Sequence, residues 1–211
     1  MTGMGFTSAW SISSHPDSVI AELATRLAPA LEADRTNPAA RHRWEAWRRA
    51  PLPDHRSWYA DRAHGEALDS FRKLTRPGEH VDDVCNGVTD SEFHVMQDLW
   101  EPEPDPADLF VSVQRKDYAV AALFHAIGPD RAALLPGWCG NVLLTAGEVR
   151  RTLPGVEQAL TFTSGERARV ADRDRLDYGA REEHVTDGPL RVWRSAAAAG
   201  RGLCAVALHV H

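Results

Sequence analysis

At 211 residues the chain is long enough for one sizeable core, and 43% hydrophobic with 26% charged residues excludes wholesale disorder. A net charge of −6 opposes general binding to nucleic acid or to an anionic membrane, both of which use a basic surface. No stretch approaches the ~20 apolar residues that cross a bilayer, and the opening residues lack the basic and apolar blocks of a secretory signal, which predicts a cytoplasmic protein.

Cysteine usage points the same way. Cys85, Cys139 and Cys204 are an odd number at wide spacing with no Cys-x-x-Cys pair, the pattern of reduced thiols rather than a disulfide framework. Of the 24 basic residues only Lys73 and Lys116 are lysines, an arginine and alanine bias typical of GC-rich bacterial coding.

Residues 4–13 alternate enough to predict an opening strand. A helix follows from about Ser14, with Pro16 and Asp17 in its first turn and Ile20, Leu23, Ala24, Leu27 and Leu31 on one face; Pro29 is expected to bend or end it. Asn37 and Pro38 open a second helix over 39–50, where Trp44 and Trp47 share a face by i, i+3 spacing. After the break at Pro51, Pro53 and Asp54, a third helix is expected over 58–74, stopped by Pro77-Gly78.

Thr89-Asp90-Ser91-Glu92 has the form of a capping box ahead of Phe93, Met96 and Trp100. Glu101-Pro102-Glu103-Pro104-Asp105-Pro106 predicts a stiff acidic connector, so a hinge or loop falls at 101–108. Beyond it come a short strand over 109–113, an alanine-rich helix over 117–127 ended by Gly128-Pro129, and a strand from Asn141. Thr145 with Glu148 then boxes the next helix, and a heavily charged helix starts near Ser164 and Glu166. The last residues predict a helix capped by Asp187, with Pro189 in its first turn and Gly200 or Gly202 at its stop, running into a strand that is apolar on both faces. Such a strand belongs in the centre of a sheet covered on each side.

The opening Met4-Gly5-Phe6 strand, Arg43-Trp44-Glu45-Ala46-Trp47, Leu144-Thr145-Ala146-Gly147-Glu148-Val149 and the junction from Ala196 to Leu203 together resemble the YfbM-like family of bacterial proteins of unknown function. The resemblance implies a fold and lends no catalytic residues. The acidic proline connector and the Pro136-Gly137-Trp138-Cys139-Gly140-Asn141 loop depart from it.

Three constellations bear on chemistry. In the Pro136–Asn141 loop, glycines on either side of Trp138-Cys139 allow a sharp turn that can present a thiol nucleophile, for which His125 is the candidate base; the competing reading is a small cysteine packed in a turn. Between Arg41 and His64, tryptophans alternate with arginines. Arg41, Trp44, Trp47, Arg48, Arg49, Trp58 and Arg62 are the candidate binding residues, for a protein partner or a small anionic ligand. An amphipathic helix pair with its tryptophans in the core explains the same periodicity. His209 with His211, and Cys85 with His80 and Asp82 or Asp83, are partial metal sets that lack the third or fourth ligand of a zinc site, so no metal and no cofactor is expected. Phosphate loops, dinucleotide fingerprints, nucleophile elbows and His-Glu-x-x-His helices are absent from the sequence.

The expectation is an α+β protein: a single domain over 1–211, with a mixed sheet of four or five strands flanked by helices and closed by a buried C-terminal strand. Its expected role is non-catalytic binding or accessory, an immunity-type protein among the possibilities, with a thiol enzyme at Cys139 as the alternative.

Overall fold

The structure, a computed structural model, describes residues 5–86, 105–176, 178–179 and 182–210. In chain order they form β1 (Thr7–His15), α1 (Asp17–Thr36), α2 (Pro38–Arg49), a 3-10 turn (His55–Ser57), α3 (Arg62–Thr75) and α4 (Glu79–Cys85). After these come β2 (Leu109–Arg115), α5 (Ala119–Ala132), β3 (Val142–Leu144), α6 (Ala146–Leu160), α7 (Ser164–Arg173), α8 (Gly188–Ala199) and β4 (Gly202–Val210). The expected capping box at Thr89-Asp90-Ser91-Glu92, most of the acidic proline connector, and His211 lie outside the described residues.

The four strands build one sheet in the order β2-β1-β4-β3. The α+β class and the closing strand stand as expected; every pairing among the four is antiparallel, so the sheet they form is not mixed. β1 and β4 hold the centre, joined from Thr7↔Val210 to His15↔Gly202. Two-faced burial explains the apolar run of β4. Leu203, Ala205 and Ala207 enter one core with Trp10 and Ile12, while Cys204, Val206 and Leu208 enter the other with Ala9. The second core is covered by α1, through Ile20, Leu23, Leu27 and Ala30, and by α4, through Val81 and Cys85. The first and larger core takes α2, α3, α5, α6 and α8.

Local signals mostly act as the sequence predicts, and the exceptions have physical causes. The Thr145–Glu148 capping box forms, and Gly200 takes the left-handed conformation (φ 64°) at the end of α8. Pro29 does not end α1, because its ring stands on the exposed side, where water can satisfy the carbonyl it leaves unpaired. Trp58 lies before its helix rather than in it, since Asp61 caps α3 by accepting from the His64 amide at 2.8 Å. Asp187 leaves the α8 amides uncapped and pairs instead with Arg167 at 2.7 Å. Gly128 (φ 77°) breaks α5, but the helix resumes at Pro129 and runs to Ala132.

Candidate functional site

Aromatic rings from α2, α5 and the Pro136–Asn141 loop meet in the larger core. Trp47 is buried on α2, stacked on Phe124 of α5 with ring centroids 5.8 Å apart. One helical turn away, half-buried Trp44 meets Trp47 at 5.3 Å, Phe124 at 6.0 Å and Trp138 at 5.9 Å. Trp138 is carried by the Pro136–Asn141 loop, a tight hairpin in which Trp138 and Asn141 exchange backbone hydrogen bonds at 2.9 and 3.0 Å.

The loop is fastened to the sheet at two points. The Gly140 carbonyl accepts the Trp10 indole N–H at 2.9 Å, and the Asn141 side-chain oxygen accepts from the Ala207 amide at 2.6 Å, taking the place of a ladder partner on β4. Gly140 has φ 83° and no room for a side chain, because a Cβ there would stand 2.4 Å from Val120 Cγ2. Gly140 therefore serves close packing of the loop against β1 and α5, while a Cβ at Gly137 would stand 2.2 Å from the Asn141 carbonyl across the turn.

Between these rings lies a cavity of about 200 Å³, walled by Trp10, Trp44, Phe124, Trp138 and Trp193, with Ile12, Cys139 and Ala205 among its lining. It opens past the exposed Ala133 and Gly137. Two of the indole donors are spent on protein acceptors, Trp10 on Gly140 and Trp193 on the Thr152 hydroxyl at 3.4 Å, so the wall they form is apolar.

Cys139 lines this cavity with its thiol buried, and burial pushes the thiol's pKa up, so it is protonated and a poor nucleophile at neutral pH. His125 sits elsewhere in the packing. Its Nδ1 lies 3.2 Å from the Arg173 carbonyl, its Nε2 lies 3.1 Å from the Pro53 carbonyl, and its ring meets Trp58 edge-on at 4.9 Å. Burial lowers the imidazole's pKa against the pull of those two carbonyls. Both ring nitrogens face backbone carbonyls, one of which accepts the neutral ring's single N–H, and neither nitrogen is paired with Cys139. Cys85 and Cys204 are buried as well; desolvation takes the Cys85 thiol up to about 12 and raises that of Cys204.

The Trp/Arg segment divides between inside and outside. Trp47 and Trp58 are buried and Trp44 faces the cavity, whereas Arg41, Arg48, Arg49 and Arg62 are exposed. Arg48 pairs with Glu45 at 3.5 Å, Arg49 donates to the Glu45 carbonyl at 3.2 Å, and Arg62 pairs with Glu66 at 2.8 Å. The guanidinium that stacks on Trp58, at 4.8 Å, belongs to Arg175 from the far end of the chain. The structure thus brings Trp44 and Trp47 together and leaves the four arginines in solvent, Arg41, Arg48 and Arg49 on α2 and Arg62 at the start of α3. Sequence reasoning missed Trp10, Phe124 and Trp193 as walls of the cavity that Trp44 lines, because each reads as ordinary core in its own element.

The two partial metal sets are redistributed. His80 Nδ1 bonds Asp34 at 2.8 Å, and Cys85 packs in the smaller core. His209 donates its amide to Asp82 Oδ1 at 2.7 Å and holds Asp82 Oδ2 through Nδ1 at 2.8 Å, so one member of each set meets the other. Among the described residues no group of three or more His, Cys, Asp or Glu side chains is placed to hold a metal ion, and no helix is long and apolar enough to cross a membrane. Comparison with protein-family models, with curated proteins and with solved structures returned no match.

Proposed function

We propose that the protein is a non-catalytic binding protein whose ligand is a small, uncharged, ring-bearing molecule held in the tryptophan-walled cavity. The observation that carries this reading is the cavity itself: about 200 Å³ of apolar space lined by five aromatic rings. An apolar cavity of about 150 Å³ is enough to take up benzene, so an indole-sized ring is the right scale. The buried, protonated state of Cys139 and the placement of both His125 ring nitrogens against backbone carbonyls weigh against thiol chemistry there.

Calorimetric titration with indole tests it. A saturable one-to-one heat with negative heat-capacity change is expected, from burial of apolar surface. Trp44→Ala should weaken binding about tenfold or more by removing a wall. Ala132→Leu, which fills the cavity from the end of α5, should abolish binding in a folded protein. Indole that fails to saturate, or that binds the filled variant as well as the native chain, overturns the proposal.

A further inference from the structure

A second depression, of about 240 Å³, lies beside the strand end of the sheet, apart from the tryptophan cavity. Arg72, Lys73 and Arg76 reach it from the end of α3, Lys116 and Tyr118 from the connection between β2 and α5, and Phe6 from the residues ahead of β1. Both lysines of the chain stand in this one wall, 43 positions apart, in a protein of net charge −6.

The counter-charge on hand falls short of four cations. Asp117, the carboxylate in the wall, is committed to the buried Arg175 guanidinium. Lys73 pairs with Asp69 at 2.6 Å, and Arg72 reaches the Tyr59 hydroxyl at 3.5 Å. Among the described residues Arg72, Arg76 and Lys116 form no ion pair. Like charges gathered in a concave place repel one another and focus a positive field into it, which an anion relieves.

Other features fix the geometry around that field. Lys116 adopts φ 62°, a conformation costly for a residue with a side chain, and its amide donates to the Phe6 carbonyl at 2.9 Å. That bond anchors Phe6, whose ring is 36% exposed and stacks on Tyr118 at 4.8 Å. The Tyr118 hydroxyl is in turn placed by His209 Nε2 at 3.3 Å, and His209 by Asp82. A half-exposed aromatic pair therefore stands rigidly beside four cations. Burial raises the Tyr118 phenol's pKa, and the charges of Arg76 and Arg72 pull against that rise.

We propose that this depression binds a small phosphorylated ligand, the phosphomonoester dianion held by Arg72, Lys73, Arg76 and Lys116 and its organic part laid against Phe6 and Tyr118. Four cations match a dianion better than a carboxylate. Guanidiniums supply paired donors to phosphate oxygens, and lysines supply point charge. A polynucleotide is disfavoured, since its binding rests on an extended basic surface that the net charge opposes.

The test is titration of the full chain with phenyl phosphate, followed by calorimetry and by amide shift changes. We expect one site that weakens as salt rises, with shifts centred on Phe6, Arg76, Lys116 and Tyr118. Inorganic phosphate should shift the same amides more weakly, which separates this site from ring uptake in the tryptophan cavity. Arg76→Gln and Lys116→Gln, both exposed positions, should each weaken phenyl phosphate about tenfold, whereas Arg151→Gln on α6 should leave it unchanged. Shifts confined to the tryptophan cavity, equal weakening by Arg151→Gln, or preference for an oligonucleotide or an anionic vesicle over phenyl phosphate at these residues would overturn the proposal. The wild-type shift map decides the matter even where a variant fails to fold.

Discussion

Helix α4 begins without a cap of its own, and Asp34 supplies one from 46 residues away. Gly78 precedes the helix and has no side chain to accept the first amides; Asp34 at the end of α1 accepts from His80 N at 3.2 Å and Val81 N at 3.1 Å, the two donors a local N-cap would satisfy. The carboxylate is buried, with His80 Nδ1 also on it at 2.8 Å. Gly78 makes room for it, since a Cβ there would lie 2.0 Å from Asp34 Oδ2; its own φ of −66° is open to any residue, so alanine brings no backbone strain. Asp34→Ala should lose a cap and strand the buried Val81 amide together with the part-buried His80 amide, about 2–4 kcal/mol together. Gly78→Ala should evict the same carboxylate and cost about 2–3 kcal/mol for the same reason. The double variant should cost no more than Asp34→Ala alone, a coupling of about −2 kcal/mol in urea unfolding at constant m. In parallel, the His80 pKa, now raised chiefly by its hydrogen bond to Asp34, should fall toward the ordinary imidazole value in Asp34→Ala. If the two costs add to within about 0.5 kcal/mol, the shared-carboxylate explanation is wrong.

Two further outcomes follow from buried or captured charges. With all three thiols buried and raised, Cys85 to about 12, a maleimide at neutral pH should label Cys85 and Cys204 only as fast as the fold opens, and Cys139, which lines the cavity, slowly because its thiol is protonated; prompt labelling of Cys139 in native protein would contradict that protonated state. Glu166, held down to about 2 by hydrogen bonds from Thr163 and then by Arg131, is deprotonated more readily folded than unfolded, so its contribution is present above the ordinary carboxylate value of 4.5 and lost as pH falls from there toward 2. Glu166→Gln should flatten the fall in urea midpoint across that window, and an unchanged slope would remove Glu166 from the account.

What the sequence discloses and what it hides divide along the range of the interactions. Thr145 with Glu148, Gly200 and the two-faced run of β4 act within a few residues, and each is legible. Strand direction is not. Strands separated by helices suggest crossovers to parallel partners, yet β4 returns antiparallel to β1 after nearly the whole chain, a choice local pattern does not encode. Asp187 has every mark of a cap until Arg167, twenty residues earlier, draws its carboxylate away. The site behaves likewise. Trp44 and the Pro136–Asn141 loop stand out in the sequence, whereas Trp10 and Trp193 are indistinguishable from core until the sheet and α8 close on them.

The cavity also bears on stability. By the relation between residual cavity volume and destabilisation, about 200 Å³ of empty apolar space costs up to roughly 5 kcal/mol, an upper figure because the mouth is open. That is comparable with the net stability of a whole domain, about 5–15 kcal/mol. Larger side chains would fill it readily: Ala132 and Ala205, both buried, line it, and Ala205 stands on a strand that would accept valine. A packing defect and a binding site therefore part company in one comparison. Ala132→Leu should raise the urea midpoint of the free protein while removing the stabilisation that saturating indole gives the native chain. A filled variant that gains stability and is still stabilised by indole would mean that the aromatic rings pack around unused space and that the ligand sits elsewhere.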